Sequence, residues 1–204
     1  MSEHINHNCG LCVTHTLHDA YSFIRSLQHR GRDAVGIAGV GHEGIDVVKW
    51  IGTVEAMDLV DLHKIMPGSG YHTFLAHVRY STQGSKRHLL RDAHPHVIGG
   101  TLDDNGSHVI YTGCDAVAVH NGHVEDRFLN GLGLESTTTS DCDTERLLQF
   151  YWQMGEEELM KRVPGAYTMA LADRRRKDVV VLRDRTGIRP GVIGIKDGKH
   201  VAVS

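Results

Sequence analysis

Residues 35–51 read VGIAGVGHEGIDVVKWI, a stretch that predicts two antiparallel strands, Val35–Val40 and Ile45–Ile51. The four residues between them, Gly41-His42-Glu43-Gly44, have the composition and length of a hairpin loop. The stretch therefore predicts an antiparallel hairpin.

Further strands are expected before and after this hairpin in the sequence. The apolar runs Gly10–His15 and Thr73–Val78 are each strand-like, and Ala116–Val119 is a short buried strand. The last forty residues predict a meander of four strands, which are Ala166–Ala172, Val179–Arg183, Gly191–Ile195 and His200–Val203. The segment Ser81–Asp115 is rich in turn residues and is expected to be mostly loop.

Helical periodicity occurs between these strands. Apolar residues recur at helical spacing in Asp19–Gln28 and Thr144–Met154, and Val54–Met66 and Glu156–Val163 are weaker candidates. Because the strands come in antiparallel runs with the helices grouped between them, the chain is predicted to be an α+β protein rather than an alternating βαβ fold.

The composition limits the class of function. The chain has 204 residues, 40% of them hydrophobic and 23% charged, which fits one globular domain. A formal net charge of −3 argues against a nucleic-acid partner. There is no apolar run long enough to span a bilayer and no secretory signal, so no membrane partner and a cytoplasmic location are expected.

Cys9 is the candidate nucleophile. Only the polar stretch Met1–Asn8 precedes it, and removal of this leader would give Cys9 a free α-amine beside its thiol. Such a residue carries its own general base. The sequence is accordingly divided into a leader, residues 1–8, and one domain, residues 9–204.

A metal or redox site is the rival explanation for this cysteine. Cys9-Gly10-Leu11-Cys12 is a C-x-x-C motif in a chain with 16 histidines. No second C-x-x-C accompanies it, and residues 9 and 12 of a strand point to opposite faces. The prediction is therefore no metal and no cofactor, with Cys12 in the core.

Six motifs occur in order along the chain, and the first of them contains Cys9. They are Cys9-Gly10, Leu27-Gln28-His29-Arg30-Gly31, His77-Val78-Arg79-Tyr80-Ser81-Thr82, His120-Asn121-Gly122, Asp143-Thr144-Glu145 and the run from Arg183 to Pro190. In this order they resemble the class II glutamine amidotransferases, which are N-terminal-nucleophile hydrolases with a four-layer αββα sandwich. The resemblance covers nearly the whole chain. It favours the glutaminase domain of amidophosphoribosyltransferases, although Ala93-His94-Pro95-His96 favours the glucosamine-6-phosphate synthase type.

The resemblance implies a catalytic set of Cys9, Asn121 and Gly122. Cys9 would attack the side-chain amide of L-glutamine and form a thioester. The Asn121 amide and the Gly122 backbone N–H would donate to the oxyanion of the tetrahedral intermediate.

The resemblance also implies a set of substrate-binding residues. Arg79 would bind the α-carboxylate of glutamine and Asp143 its α-ammonium. Tyr80 and Thr82 would line the same pocket, and the loop with Arg30 and Gly31 would organise the amino end of Cys9.

Each of these residues also has a simpler interpretation when taken alone. Cys9 could be a small buried residue, and Arg79 a member of a surface ion pair. Asp143 could cap a helix. Asn121-Gly122 is a common turn dipeptide.

The expected function is hydrolysis of glutamine to supply ammonia to an acceptor. By resemblance the acceptor is phosphoribosyl pyrophosphate in purine biosynthesis, bound by a phosphoribosyltransferase domain or subunit that residues 1–204 do not include. The alternatives are the glutaminase domain of another class II enzyme, of the glucosamine-6-phosphate synthase type, and a catalytically silent glutamine-binding module. A homo-oligomer is left open.

Overall fold

The computed structural model of the chain describes residues 9–80, 89–134, 138–140, 142–176 and 178–204. The expected leader, residues 1–8, and the expected pocket residue Thr82 lie outside these ranges. Within them, no helix combines the length and the apolar character that crossing a membrane requires.

Ten strands and five α-helices make up the described chain. In chain order they are β1 (Gly10–Thr14), α1 (Leu17–Ser26), β2 (Ala34–Gly41), β3 (Ile45–Ile51), α2 (Leu59–Ile65), β4 (Tyr71–Arg79), α3 (Leu89–Asp92), β5 (His96–Asp104), β6 (His108–His123), α4 (Asp126–Leu129), α5 (Asp143–Arg162), β7 (Ala166–Asp173), β8 (Val180–Arg183), β9 (Val192–Lys196) and β10 (Lys199–Val203).

All strand pairs are antiparallel, and the strands follow the order β8-β7-β6-β3-β2-β4-β1-β10-β9, with β5 beside β6. The long strand β6 pairs with β3 from His108 to Cys114 and with β7 from Ala116 to His123. It therefore passes from one sheet layer to the other. The hairpin predicted from residues 35–51 is present as β2 and β3.

Three separate apolar clusters define four layers. The first lies between the α1 and α2 helices and one face of β1–β4, and includes Ile24, Leu62 and Phe74. The second lies between the two sheet layers, where Leu11 and Val119 belong to the same cluster. The third lies between α5 and the outer face of β6 and β7. The order helix, sheet, sheet, helix is the predicted αββα sandwich, and it confirms the α+β class.

Local sequence explains where the helices begin and break. Thr16 caps α1 by accepting a hydrogen bond from the Asp19 N–H at 3.0 Å, and Asp19 lies in the first turn as predicted. Inside α5, Gly155 has φ of +82°, which breaks the helix into two parts. This break matches the two helices predicted on either side of residue 155.

The prediction of a mostly loop segment over 81–115 is wrong for the described part. Residues 96–104 and 108–123 form the hairpin of β5 and β6, and the turn lies at Asn105-Gly106. Gly99 and Gly100 have positive φ and lie at a register shift between the two strands. The glycines thus form a β-bulge inside a strand, where a sequence reading expects a turn.

The predicted four-strand meander at the end of the chain is also wrong. Strands β7 and β8 pair in the layer that contains β6, whereas β9 and β10 form a hairpin that joins β1 in the other layer. The strand β10 has a partner on each side, and β9 lies at this edge of the sheet.

Candidate functional site

Strand alternation brings Cys9 and two other predicted residues to one end of the space between the sheets. Leu11 and Val13 face the inter-sheet core, so Cys9, two residues before Leu11, continues that face. Arg79 on β4 and Asn121 on β6 follow the inward-facing Leu75 and Val119 in the same way. The two sheets are joined at this end by a 3.0 Å hydrogen bond from His77 Nε2 to the His120 carbonyl oxygen.

Cys9 is half-buried beside charged groups of both signs. Burial raises the pKa of the Cys9 thiol, whereas the Tyr80 backbone N–H and the charges of Arg79 and Arg30 lower it. Asp143 contributes a smaller increase. These contributions place Arg79, Arg30 and Asp143 within electrostatic reach of the sulfur. Because the net pKa shift is upward, the thiol needs a base to become a nucleophile at neutral pH.

The loop that contains Arg30 and Gly31 contacts both Cys9 and Arg79. Arg30 Nε donates a 2.9 Å hydrogen bond to the Cys9 carbonyl oxygen. A Cβ atom on Gly31 would lie 2.5 Å from the carbonyl carbon of Arg79, so only glycine permits this approach. The Gln28 side chain donates to the Gly31 carbonyl oxygen within the same loop. It also accepts from the Val54 N–H, which bonds the loop to a more distant part of the chain.

Arg79 presents a guanidinium that a long ion pair only partly neutralises. Its side chain is 14% exposed, and Nη2 lies 3.9 Å from Asp92 Oδ2. The surface ion pair considered from sequence is thus present but distant. Tyr80, the next residue, has about half of its surface exposed at the mouth of this region.

Asn121 and Gly122 lie inside β6 and not in a turn. Asn121 is fully buried, and its Nδ2 donates a 2.9 Å hydrogen bond to Ser204 Oγ. A side-chain amide carries two N–H groups, so one remains for a second acceptor. Gly122 has φ of +153°, and a Cβ there would lie 2.2 Å from the Ala166 carbonyl oxygen. The pair therefore requires glycine at its second position for steric reasons.

Asp143 is the first residue of α5, and its carboxylate accepts a hydrogen bond from the residue that follows β6. Oδ2 accepts a 3.0 Å hydrogen bond from the Val124 N–H, and the carboxylate lies 3.6 Å from a ring nitrogen of His120 and of His123. Burial disfavours the charged form, but the two histidines and the Val124 N–H outweigh it and hold the pKa of Asp143 well below its usual range. Cys142 occupies the N-cap position without a side-chain cap bond. Asp143 is thus an ionised acceptor and not a helix cap.

A buried histidine network beside this site was not predicted from sequence. Thr144 Oγ1 lies 2.7 Å from His94 Nε2 and 2.8 Å from His120 Nδ1, and the His77 and His94 rings are 4.1 Å apart between centroids. His77, His94, His120 and Thr144 all occur in the quoted motifs, but the motifs gave them no role. In the sequence these histidines stand in mostly apolar segments that are far apart, and nothing there indicates that their rings lie together.

Cys12 lies away from Cys9, as predicted. It is fully buried in the cluster beneath α1, where its Sγ lies 3.8 Å from the Ala20 carbonyl oxygen. All four cysteines are free thiols. Because Cys9 and Cys12 belong to opposite faces of β1, the C-x-x-C motif does not form a joint ligand pair.

Comparison with known proteins gives one consistent family. A family model described as a glutamine amidotransferase domain matches residues 114–204. Glutamine–fructose-6-phosphate aminotransferase of Vibrio parahaemolyticus is 30% identical over 197 residues, covering 89% of this chain and 28% of that protein. The enzyme of the same name from Sulfolobus acidocaldarius is 32% identical over 152 residues, covering 72% of this chain and 22% of that protein. The chain thus spans less than a third of the length of these relatives.

Solved structures share the fold. The chain superposes on glutamine phosphoribosylpyrophosphate amidotransferase from B. subtilis with a TM-score of 0.70 at 20% identity, covering 96% of this chain and 41% of that one. A second structure, of an allosteric regulatory enzyme of purine biosynthesis, gives a TM-score of 0.65 at 19% identity over the same shares. At these identities the likeness extends to the fold alone.

Proposed function

The chain is a class II glutamine amidotransferase domain, and we propose that it hydrolyses the side-chain amide of L-glutamine through a thioester on Cys9. The observation that carries this proposal is that two side chains of opposite charge, Arg79 and Asp143, reach the surroundings of Cys9 from different elements. Arg79 ends β4 and follows Val78, which pairs with Gly10 on β1. Asp143 begins α5 and accepts a hydrogen bond from the Val124 N–H, directly after the end of β6. A free amino acid offers a carboxylate and an ammonium for such a pair.

The reaction has two halves. The Cys9 sulfur attacks the amide carbon of glutamine, the thiol proton passes to the departing nitrogen, and ammonia leaves behind a γ-glutamyl thioester. Water then attacks the thioester carbon, giving glutamate and restoring the thiol. Both tetrahedral intermediates carry an oxyanion that the Asn121 amide and the Gly122 N–H would stabilise, a contribution of ~3 kcal/mol for one donor.

The proton carrier in this proposal is the α-amine of Cys9 after removal of residues 1–8. An α-amine has a pKa of about 7.7–8.0, so it exchanges protons readily near neutral pH. The Arg30 hydrogen bond to the Cys9 carbonyl would hold the backbone of this residue while its amine and thiol act. Burial of the thiol is compatible with this scheme because the base lies on the same residue.

We further propose that the ammonia passes to a phosphorylated sugar bound elsewhere. The relatives named above are glutamine–fructose-6-phosphate aminotransferases, and the solved structure that superposes well is a phosphoribosylpyrophosphate amidotransferase. Phosphoribosyl pyrophosphate, the acceptor expected from sequence, and fructose 6-phosphate are therefore the two candidates. The acceptor site would lie on a further domain or subunit.

Ammonia release by the purified chain tests the first proposal. Wild-type protein should convert glutamine to equal amounts of glutamate and ammonia, and Cys9→Ala should abolish this activity. Cys12→Ala, in the helix-side core, is the matched control and should keep it. A folded wild-type chain that binds glutamine without releasing ammonia would instead support the silent binding module.

The acceptor is tested by adding each sugar phosphate with a separately produced acceptor protein. Stimulation of ammonia release by one pair and not by the other would identify the acceptor. Stimulation by neither would contradict the sugar-phosphate class while leaving the glutaminase proposal intact.

A further inference from the structure

Three potential metal ligands from two distant parts of the chain meet beside the proposed glutamine site. They are His94, two residues before β5, His96, the first residue of β5, and Cys142, immediately before α5. One ligating atom from each of the three side chains lies within 4.8 Å of the others. Both histidines are at least nine-tenths buried, and Cys142 is half-buried. We call these three residues the His-His-Cys cluster.

Among the described residues, two buried ring nitrogens of this cluster have no hydrogen-bond partner, namely His94 Nδ1 and His96 Nε2. A buried polar atom without a partner is costly, and native structures rarely keep one without a reason. The two rings are nearly perpendicular, with centroids 4.9 Å apart. The two rings therefore meet edge to face, and neither ring gives the other a hydrogen-bond acceptor in its plane.

His94 is anchored through one ring nitrogen, which leaves Nδ1 as the atom that can face a metal. Nε2 lies 2.7 Å from Thr144 Oγ1, and the same hydroxyl contacts His120 Nδ1 at 2.8 Å and Asp143 Oδ1 at 3.3 Å. A hydroxyl donates one proton and accepts two, so it can accept from a proton on His94 Nε2 and leave a lone pair on Nδ1. A second polar group that holds the opposite nitrogen is the usual arrangement around a metal-bound imidazole.

We propose that the His-His-Cys cluster binds a divalent ion of the zinc class through His94 Nδ1, His96 Nε2 and Cys142 Sγ. Two imidazoles and a thiolate are ligands that zinc prefers. A tetrahedral zinc site needs ligand atoms roughly 3.3–3.7 Å apart. The ligand atoms here lie within 4.8 Å of one another, so the widest pair would close by at most about 1 Å on binding. On coordination the Cys142 S–H bond breaks, its proton goes to solvent, and the Zn–S bond forms.

The surrounding charges partly balance such an ion. The carboxylate of Asp143 lies 3.8 Å from Cys142 Sγ and would offset the net positive charge of the loaded cluster. Positive charge lies nearby as well. The buried Lys49 ammonium donates a 2.8 Å hydrogen bond to the Ala93 carbonyl oxygen, and the charge of Arg79 acts on both histidines.

The site is independent of the C-x-x-C motif and of the proposed nucleophile. Sequence spacing could not reveal it, because His94 and Cys142 are distant in sequence and only the fold brings β5 beside α5. Its position next to Asp143 means that a bound ion would fix the first turn of α5 against the start of β5.

Cobalt and zinc binding to the full chain tests this proposal without reference to activity. Metal-free wild-type protein should take up one equivalent of Co²⁺ with a thiolate-to-cobalt charge-transfer band and tetrahedral visible bands. Cys142→Ser should lose the charge-transfer band and weaken zinc binding by at least about 100-fold. His96→Gln should weaken binding similarly, and it serves as the second variant if Cys142→Ser does not fold.

Two controls locate the ion. Cys114→Ser removes a buried thiol outside the cluster, and Cys9→Ser removes the proposed nucleophile, and both should keep the band. Zinc X-ray absorption on wild-type protein needs no variant and should show one sulfur ligand at ~2.3 Å with nitrogen ligands at ~2.0–2.1 Å. A first shell without sulfur, no metal uptake, or a band that disappears with Cys9→Ser would each overturn the proposal.

Discussion

A hydrogen bond holds the backbone of Cys9, whereas its thiol lies near charged side chains of both signs. The Arg30 guanidinium bonds the Cys9 carbonyl, and Gly31 in the same loop contacts the backbone of Arg79. The proposed nucleophile and the proposed carboxylate anchor are thereby contacted by two adjacent residues of one loop. A site of this kind acts through charges and hydrogen-bond donors that are in place before the substrate reacts. The role of each side chain can therefore be tested by substituting it alone.

Replacement of Asn121 should affect turnover more than binding. Asn121→Ala removes the proposed donor to the developing oxyanion, so kcat should fall by ~10²–10³ while KM for glutamine changes little. Ser204→Ala is the matched control, because it removes the hydrogen-bond partner of Asn121 but leaves the amide. Steady-state kinetics of the two variants would refute the assignment if Ser204→Ala lost as much kcat as Asn121→Ala.

Replacement of Arg79 should show the opposite pattern. Arg79→Ala removes the proposed contact to the α-carboxylate, so glutamine binding should weaken by roughly 2–5 kcal/mol, mainly through KM. Arg91→Ala removes an exposed arginine that also pairs with Asp92 and should have little effect. An unchanged KM for Arg79→Ala would remove this residue from the binding site.

His123 predicts an acid-side dependence of glutamine binding. The Asp143 hydrogen bond raises the pKa of His123 above 6.5, whereas Asp143 stays ionised because its own pKa is depressed. As pH falls through the raised pKa, protonated His123 competes with the substrate ammonium for Asp143, so KM should rise. The same ion pair stabilises the fold at low pH and is lost as pH rises through that pKa.

His123→Gln should flatten this pH dependence without abolishing activity. The side chain of His123 is 56% exposed, so the substitution leaves the core unchanged. A KM profile that falls with acidification in wild-type protein, or that is identical in His123→Gln, would contradict the competition.

At the scale of elements, the site depends on where strands end and on which loops contact them. The end of β4, the loop after α1 and the start of α5 each deliver one part of it, and β6 delivers another from the second sheet. Thr144, at the start of α5, contacts His120 on β6 and His94 just before β5. The proposed substrate pocket is therefore sensitive to small shifts between elements.

Gly31 tests this dependence. Gly31→Ala places a Cβ 2.5 Å from the Arg79 backbone, so the loop must move and both stability and activity should fall, the former by about 1–3 kcal/mol. Gly70→Ala is the control, because a Cβ at Gly70 meets nothing within 4 Å and its φ is not positive. Denaturant unfolding and ammonia release should both separate the two variants, and equal behaviour would show that the loop is not tightly packed.

Over the whole molecule, periodicity and motif order predicted most of the architecture. The hairpin at 35–51, the helices α1 and α5 and the break at Gly155 follow from local pattern, because each depends on neighbours in sequence. The failures at Gly99-Gly100 and in the last four strands are different in kind. A bulge glycine and a turn glycine look alike in sequence, and the layer that a strand joins depends on partners far along the chain.

The candidate site was predictable where a motif named its residues and not where only packing unites them. Arg79, Asn121 and Asp143 were expected together and lie at the same end of the sandwich. The His-His-Cys cluster and the Thr144 network were missed, because nothing local in β5 indicates that His94 and His96 face the start of α5.

The central claim is that Cys9 is an N-terminal nucleophile, and mass spectrometry of the chain treated with a diazo-ketone analogue of glutamine tests it most directly. Active protein should show one adduct per chain, and peptide mapping should place it on Cys9 as the first residue. Such an analogue alkylates the thiolate that would otherwise attack the amide. An adduct on Cys12, Cys114 or Cys142, or full activity in protein that still begins at Met1, would contradict the account.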